Sequence, residues 1–357
     1  MTFLYVLLAI LLLAILIIAH EFGHFISARL CGIEVQEFSV GFGPKLLGTV
    51  TKRGTAVSLR AVPLGGYCAF YGEDDAEGKH QDDPRAYNRQ PVWKRMISVL
   101  MGPGMNFILA LVVAVGYYWI GGVGVVQGYT PYISEVAAAG PAYEAGLQAN
   151  DTITQINGVD MLDGTTSTLL GAISGWQEGD APLTLTVQRG DETFTTELTP
   201  FYDEEEGKYR IGITVSALSD IAMQPCSFTE ACQYGWSWCT YAGSAILDAL
   251  KNLVTTGEGL EETTGPVGIV STITTEMQTY GIQTFLDLLV LISINLGIMN
   301  LLPIPGLDGS RFIFMLIEAI RRKPVPPEKE AIVHLVGYVF LLGLAAVLTV
   351  RDIMHLF

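Results

Sequence analysis

Two histidines and a glutamate at helical spacing are the residues of this chain that are best suited to chemistry. His20 and His24 lie four positions apart, so on a helix both imidazoles project from one face, about one turn apart. Such a pair can hold one zinc ion, and Glu21 is left beside the metal to act as a base. The spacing therefore predicts a zinc site with His20 and His24 as ligands and Glu21 as the catalytic residue. The alternative is a polar helix end whose histidines only form hydrogen bonds.

The motif directly follows a run of 17 apolar residues, 3–19, which places it at an unusual depth. Seventeen helical residues rise about 25 Å, slightly less than the hydrocarbon core of a bilayer. The run lacks the basic start and the small-residue cleavage site of a signal peptide, so we predict a retained transmembrane helix over about 3–30. Polar groups inside a membrane cost several kcal/mol unless they serve a function, which favours a functional site within the bilayer.

The composition is that of a membrane protein with one soluble insert. Half of the 357 residues are hydrophobic and 16% are charged, as in multi-pass membrane proteins. The net charge of −16 is concentrated in one stretch, residues 131–262, which holds 20 acidic and 4 basic residues. An acidic, mostly soluble domain is therefore inserted into a membrane protein, and nothing in the charge indicates a nucleic-acid partner.

Three further apolar segments complete a set of four predicted transmembrane helices. They cover about 96–120, 282–302 and 333–350. Residues 226–255 are rich in tryptophan and tyrosine, which concentrate at membrane interfaces. This segment therefore fits either a further span or a helix that lies at the interface.

Basic residues decide between these alternatives and set the orientation. Residues 29–95 and 311–329 contain 15 of the 20 lysines and arginines, and such loops remain in the cytoplasm. With four spans, both loops are cytoplasmic only if residues 226–255 do not cross. The N-terminus, the acidic domain and the C-terminus are then extracytoplasmic. The histidine motif lies within the membrane, near its cytoplasmic face.

A catalytic zinc ion takes three protein ligands and a water, so a third ligand is needed. The five cysteines show no Cys-x-x-Cys spacing, and the other three histidines have no motif around them. Asp308 lies in residues 300–309, where two prolines break the third transmembrane helix, and a carboxylate there is costly unless it binds something. With the orientation above, Asp308 and His24 reach the same depth, so Asp308 is the predicted third ligand. The alternative is a turn residue that pairs with a loop arginine.

Two other segments predict local structure. Residues 56–70 are predicted to form two short strands around the turn Pro63–Gly66, an apolar hairpin that either pairs with an extended substrate or has a structural role only. Within residues 129–215, β-like segments alternate with two short helices, and the phrase Ala142–Leu147 resembles a PDZ domain of the circularly permuted bacterial kind. That resemblance implies a peptide-binding edge strand at Tyr209–Ile213.

The predicted fold is a mainly α-helical multi-pass membrane protein with four transmembrane helices, an inserted small α/β PDZ-like domain and a membrane-associated β-hairpin. Its parts are a first membrane half at 1–128, the PDZ-like domain at 129–215, an interfacial helical segment at 216–280 and a second membrane half at 281–357. Both membrane halves contribute to the zinc site, since the histidine motif lies in the first and Asp308 in the second.

Motifs along nearly the whole chain resemble those of the site-2 protease family of intramembrane zinc metalloproteases, most closely its bacterial RseP/RasP type with a single PDZ domain. Apart from the PDZ phrase, they are His20–His24, Pro63–Tyr67, Gly102–Asn106, Gly265–Gly268 and Asn300–Gly309. The first and last of these together are the most specific. The resemblance implies a protein of the bacterial cytoplasmic membrane that binds one Zn²⁺ through the three predicted ligands, with Glu21 as the base.

The resemblance also implies substrate-binding residues and partners. Asn106 and Asn300 look like polar groups that hold the substrate or the developing oxyanion, and Gly65 and Gly66 like part of a membrane-reentrant β element. The implied substrates are single-span membrane proteins or peptides, of the anti-sigma factor or remnant signal peptide type. The PDZ-like domain is implied to bind a peptide C-terminus or to exclude bulky substrates. The lipid bilayer surrounds the protein, and no nucleic acid is expected.

We therefore predict zinc-dependent hydrolysis of peptide bonds within the bilayer, as in regulated intramembrane proteolysis. One alternative is a non-enzymatic membrane scaffold with a peptide-binding PDZ domain and a structural zinc, which would have a closed set of four ligands. Another alternative is an ion or metal transporter, which would have paired half-helix repeats. The sequence contains no internal repeat of that kind.

Overall fold

The computed structural model describes residues 2–73, 83–161, 166–204, 206–259 and 263–356. The chain forms two compact units, a helical unit of residues 1–120 and 227–357 and an inserted unit of residues 121–226. In chain order the elements are α1 (Thr2–Leu30), β1 (Val35–Val50), β2 (Ala56–Phe70), a 3-10 turn (Tyr87–Arg89), α2 (Val92–Gly121), β3 (Val123–Val136), α3 (Pro141–Glu144), β4 (Thr152–Ile156), β5 (Val159–Asp160), α4 (Thr166–Ser174), β6 (Leu183–Arg189), β7 (Glu192–Leu198), β8 (Phe201–Asp203), β9 (Lys208–Arg210), β10 (Ile213–Gln224), α5 (Phe228–Thr255), α6 (Pro266–Tyr280), α7 (Thr284–Leu301), α8 (Asp308–Arg321) and α9 (Pro327–Leu356).

Within the described part of the chain, 4 helices are long and apolar enough to cross a membrane. They are Phe3–Leu30 of α1, Val92–Gly121 of α2, Thr284–Leu301 of α7 and Glu328–Met354 of α9. These helices coincide with the four predicted transmembrane segments. Helix α5, which covers the aromatic segment predicted to lie at the interface, is not among them.

Small and apolar side chains hold the helical unit together. Leu12 and Leu16 of α1 are buried against side chains of α6 and α7. Ala110 and Ala114 of α2 are buried against α5 and α7, together with Ala242 of α5. Small residues at such contacts let helix backbones approach closely, and this packing stabilises helices in a bilayer, where apolar surface alone gives no driving force. Helix α1, which carries the histidine motif, is thus held by its neighbours.

The predicted hairpin has a different form in the structure. Residues 56–70 form one continuous strand, β2, which pairs with β1. Within β2, residues 56–59 run in the same direction as 37–40, whereas residues 66–70 run in the opposite direction along 35–40. The chain therefore reverses between residues 60 and 66, where the turn was predicted, but the two segments lie on either side of 35–40 and not beside each other. Pro63 and Gly65, whose φ is +112°, lie in this reversal, as expected for turn residues.

The register divides this sheet into four paired segments. Residues 35–40 pair with 66–70, and residues 45–50 pair with 56–60. Residues 56–59 also lie opposite 37–40, so these two segments form the middle of the sheet. The outer segments, 45–50 and 66–70, are therefore its two edges.

The inserted unit is built on a 6-stranded sheet with the order β10-β3-β4-β6-β7, in which β5 pairs with β4. Strands β8 and β9 form a separate 2-stranded sheet. Alternate residues of β6, Leu183, Leu185 and Val187, are buried, as expected for a strand with one face on the core. Helices α3 and α4 contribute Ala142 and Leu169 to the same core.

The inserted unit is longer than the predicted domain at 129–215. Strands β3 and β10 continue as an antiparallel pair as far as Val123 and Gln224, which extends the unit to residues 121–226. Tyr209 lies in β9, whereas β10, the edge of the larger sheet, begins at Ile213. The segment expected to form one peptide-binding edge strand is therefore divided between two sheets.

Candidate metal centre

Helix α1 and the first residue of α8 bring the three predicted ligands together. The Nε2 atoms of His20 and His24 are 3.2 Å apart. Oδ2 of Asp308 lies 3.1 Å from Nε2 of His20 and 3.3 Å from Nε2 of His24. A tetrahedral zinc ion with bonds of about 2.0–2.1 Å places its ligand atoms about 3.3–3.4 Å apart. The three donor atoms, 3.1–3.3 Å apart, are therefore slightly closer together than in a tetrahedral zinc site and would need to separate only by about 0.1–0.3 Å to hold the ion.

The chemistry of this donor set also fits a cation. Within the described residues, His20, His24 and Asp308 form the one group of three or more metal-ligating side chains. Oδ2 of Asp308 is buried and has no hydrogen-bond partner among these residues. A buried carboxylate oxygen is costly unless a donor or a cation satisfies it, so the position indicates a metal ligand.

Hydrogen bonds orient both imidazoles from α2. Nδ1 of His24 lies 2.8 Å from the backbone carbonyl oxygen of Ser98, which requires the proton on Nδ1 and leaves Nε2 free for metal. Nδ1 of His20 lies 3.3 Å from Nδ2 of Asn106. With the Asn106 amide turned by 180°, its otherwise unsatisfied Oδ1 accepts the Nδ1 proton of His20. Both ligands then present Nε2 to the same point.

Asn106 and Asn300, the two predicted substrate-binding asparagines, differ in their contacts with the three-residue cluster. Asn106 is fully buried and contacts His20, a predicted ligand, so its position is that of a residue that orients His20. Asn300 lies in the last turn of α7 and is half-buried. Its side chain has no hydrogen-bond partner in the described part of the chain. A role for either residue in holding the substrate stays a prediction.

Glu21 lies against one edge of the β1–β2 sheet. A Cβ atom at Gly66 would be 3.1 Å from Cγ of Glu21 and 3.4 Å from Ile17 of the same helix. The same Cβ atom would be 2.8 Å from the carbonyl oxygen of Ser39, so the strand pairing requires glycine here, and the edge segment 66–70 begins directly beside the predicted base. Gly65, the other predicted glycine, has a φ of +112° and packs against the ring of Phe42.

Two ion pairs fix helix α8, whose first residue is Asp308. Arg95 of α2 and Glu318 are 2.5 Å apart, and both side chains are largely buried. Arg311 and Glu73 are 2.6 Å apart. The charge of Glu73 raises the pKa of Arg311, so the guanidinium stays charged. Neither pair is predictable from the sequence, because their members lie 223 and 238 residues apart and no local pattern links them.

The cysteines take no part in this cluster. Cys68, on β2, is the one nearest in sequence to Gly66. Burial raises the pKa of its thiol, and the nearby charge of Glu21 raises it further. Cys68 therefore stays protonated and is a poor metal ligand.

Four helices that can cross a membrane, and a buried pair of imidazoles with a carboxylate beside a glutamate, define the class of membrane-embedded zinc metalloproteases. The family profile described as Peptidase family M50 matches residues 8–344. The chain therefore belongs to peptidase family M50, the site-2 protease family. The predicted family, the assignment as a metalloprotease and the zinc cofactor are thereby confirmed.

Related proteins extend over nearly the whole chain. A protein of Clostridium acetobutylicum that is provisionally named a zinc metalloprotease is 33% identical over 356 residues, covering 99% of both chains. A protein of Agrobacterium fabrum with the same provisional name is 30% identical, covering 97% of this chain and 95% of its own. The regulator of sigma-W protease RasP of Bacillus subtilis is 31% identical and aligns over 98% of both chains.

Among solved structures, the PDZ domain of an SdrC-like protein from Listeria monocytogenes aligns with 26% of this chain and 90% of its own length. The identity is 24% and the TM-score is 0.22. At that score the alignment adds no argument about the inserted unit. The assignment of a PDZ-like role therefore rests on the sequence and is part of the proposal below.

Proposed function

We propose that this chain is a zinc-dependent intramembrane endopeptidase that cleaves single-span membrane proteins. His20, His24 and Asp308 hold one Zn²⁺, and Glu21 is the catalytic base. The observation that carries the proposal is the triangle of donor atoms, with sides of 3.1–3.3 Å, inside a unit of four candidate spans. Two imidazoles and one carboxylate leave a coordination position open for catalysis.

The chemistry divides between the metal and Glu21. When bound, zinc supplies a Lewis acid that polarises the scissile carbonyl and acidifies water. Glu21, next to His20 in sequence, takes the proton of the attacking water and passes it to the leaving amine. Ser98 and Asn106 keep the imidazoles in the tautomer that the site requires. The scaffold alternative expects a fourth protein ligand, and the described cluster contains three.

The edge segment 66–70 is proposed to hold the substrate as an added strand. A transmembrane helix hides its carbonyl groups, so cleavage requires that the helix unwinds near the site. An extended chain paired with this edge would lie beside Glu21, because Gly66 approaches that side chain closely. Gly65 and Gly66 then act through their backbone, and the unpaired side chain of Asn300 is available to the substrate.

N-methylation of a substrate peptide tests this strand addition. A strand alternates the N–H groups that face its neighbour. In a series of peptides, one N-methyl group is therefore placed at each successive position around the cleaved bond. We expect the cleavage rate to fall about tenfold or more at every second position, because the methyl group removes one hydrogen bond between neutral groups and clashes with the neighbouring strand. Rates are measured by mass spectrometry on synthetic single-span peptides in detergent. An equal effect at all positions would contradict the strand model of binding.

We also propose an orientation of the chain in the membrane and a role for the inserted unit. The basic segments at 29–95 and 311–329 support a cytoplasmic location for both, in a bacterial cytoplasmic membrane. The zinc site then lies in the membrane near the cytoplasmic face, and the acidic inserted unit is extracytoplasmic. There we propose a PDZ-like role, binding a peptide C-terminus along the edge strand β10 or excluding substrates with bulky outer domains.

Metal analysis combined with a cleavage assay tests the proposed function. The detergent-purified chain is expected to contain one zinc ion and to cleave a synthetic single-span peptide. A chelator should abolish cleavage, and added Zn²⁺ should restore it. Metal-free protein that cleaves at the full rate would overturn the proposal. Bound zinc without any cleavage of transmembrane peptides would favour the scaffold.

A further inference from the structure

The loop that precedes Asp308 lies against the N-terminal part of α9. The loop comprises residues 302–307 and contains two prolines, which have no N–H. The N–H of Gly306 donates a hydrogen bond to Nδ1 of His334, with a distance of 3.2 Å. Gly306 has a φ of +97°, a conformation that favours glycine. A side chain of α9 therefore holds the backbone two residues before the proposed third ligand.

The same loop also contacts α9 at Gly337, about one turn further along the helix. A Cβ atom at this position would lie 2.0 Å from the carbonyl oxygen of Pro305 and 2.6 Å from its Cβ. Atoms in folded proteins do not approach so closely, so the loop backbone packs directly on the helix at Gly337. Gly337 is buried, whereas Val336 and Val339 beside it are both 64% exposed. The contact of α9 with the loop is thus confined to one face.

The surroundings of His334 determine which of its two ring nitrogens accepts a hydrogen bond. Its side chain is 11% exposed, and its ring lies 5.6 Å from the ring of Phe314 on α8. Because Nδ1 accepts the N–H of Gly306, the proton of the neutral ring is on Nε2, which lies 3.6 Å from Oε1 of Glu330. His334 therefore contacts both the loop and the helix that Asp308 begins, and it is not part of the ligand cluster.

We infer that His334 and Gly337 position the third zinc ligand, a role that rests on the proposed ligand function of Asp308. Neither residue belongs to the metal-binding cluster, so both are positioning residues. Their contacts fix the loop from which Oδ2 of Asp308 reaches the Nε2 atoms of the two histidines, at 3.1 and 3.3 Å. The last span of the protein is therefore a support for the metal site as well as a membrane anchor.

The test measures zinc affinity and the visible spectrum of the Co²⁺-loaded chain, purified in detergent. Gly337→Ala and His334→Leu are each expected to weaken zinc binding about 10- to 100-fold, as is usual when support of a ligand is lost. Both should also change the d–d absorption bands of bound Co²⁺, because Asp308 is displaced. His334→Asn keeps an acceptor near the position of Nδ1, so its affinity is expected to stay within about threefold of the native value.

Gly343→Ala is the matched control. It adds the same methyl group to the same helix, but its Cβ would have no atom within 4 Å, so affinity and spectrum should equal those of the native chain. Asp308→Ala separates two failures. If Asp308→Ala leaves zinc binding unchanged, the proposed ligand set is wrong. If Asp308→Ala weakens binding while Gly337→Ala and His334→Leu leave affinity and spectrum unchanged, the positioning role alone is overturned.

Discussion

Glu21→Gln is expected to keep its zinc and to lower kcat by about 10²–10⁴-fold, the usual contribution of a positioned general base. Glutamine has nearly the same shape as glutamate, but its amide does not accept a proton at neutral pH. Metal should remain because Glu21 is not a member of the ligand cluster of His20, His24 and Asp308. The two measurements are the zinc content of the purified variant and its initial rate on a single-span reporter peptide.

A second glutamate serves as the control for the loss of one charge. Glu258 lies in the helical unit, is exposed and is outside the metal cluster. Glu258→Gln should therefore have the native zinc content and the native rate. Undiminished cleavage by Glu21→Gln would remove Glu21 as the base. Loss of zinc from that variant would instead make Glu21 a ligand.

Local patterns in the sequence were sufficient to predict which three side chains the structure brings together as a candidate metal centre. The helical spacing of His20 and His24 fixes their common face wherever the helix lies. Asp308 was found by a different argument, since a carboxylate beside prolines at membrane depth must be satisfied by something. The basic loops then place Asp308 and His24 at the same depth, so neither prediction requires knowledge of which helices pack together.

The β1–β2 sheet shows where local patterns were incomplete. Pro63 and the glycines that follow it are a usual turn signal, so residues 56–70 were predicted to fold back on themselves. Residues 35–50 carry the long partner strand β1, but they stand in a basic segment and were treated as part of a loop. The chain does reverse at the predicted turn, but strand pairing depends on the partner as well as on the segment, so the position of 37–40 between the two halves of 56–70 was missed.

The support of the site was not accessible from the sequence for a related reason. The carbonyl of Ser98 lies 74 residues from His24, and Arg95 lies 223 residues from its partner Glu318. These contacts result from the packing of α2 against α1 and α8, which no local pattern specifies. The family resemblance implied that Asn106 holds the substrate, and its contact with His20 appears only in the structure.

The packing of α2 against α1 leads to the second large effect, because Gly102 lies directly against the ring of His24. A Cβ atom at Gly102 would be 2.2 Å from Nε2 and 2.3 Å from Cε1 of that ring. The nearest atoms therefore belong to a proposed metal ligand, which is also held from its other side by the carbonyl of Ser98. Gly102→Ala is expected to displace the imidazole, weaken zinc binding by about 100-fold or more and abolish cleavage.

Gly116→Ala is the matched variant, since Gly116 lies in the same helix and its Cβ would have no atom within 4 Å. Zinc binding is measured by competition with a chelator of known affinity, and the thermal stability of the metal-free protein is measured alongside it. Alanine favours a helix over glycine by about 1 kcal/mol, so Gly116→Ala should raise the metal-free stability slightly and leave zinc affinity unchanged.

In Gly102→Ala, the helix preference of alanine raises the metal-free stability, whereas the clash with His24 lowers zinc affinity. Measuring both quantities therefore separates the possible causes. Weak zinc binding by a protein whose metal-free stability is near the native value identifies a displaced ligand. Native zinc affinity in Gly102→Ala would show that His24 does not lie against Gly102. The distance between α1 and α2 would then have to be larger than in this structure. If Gly102→Ala lowers both the zinc affinity and the stability of the metal-free protein, the main role of this contact is to hold α1 and α2 together, and its effect on the position of His24 is secondary.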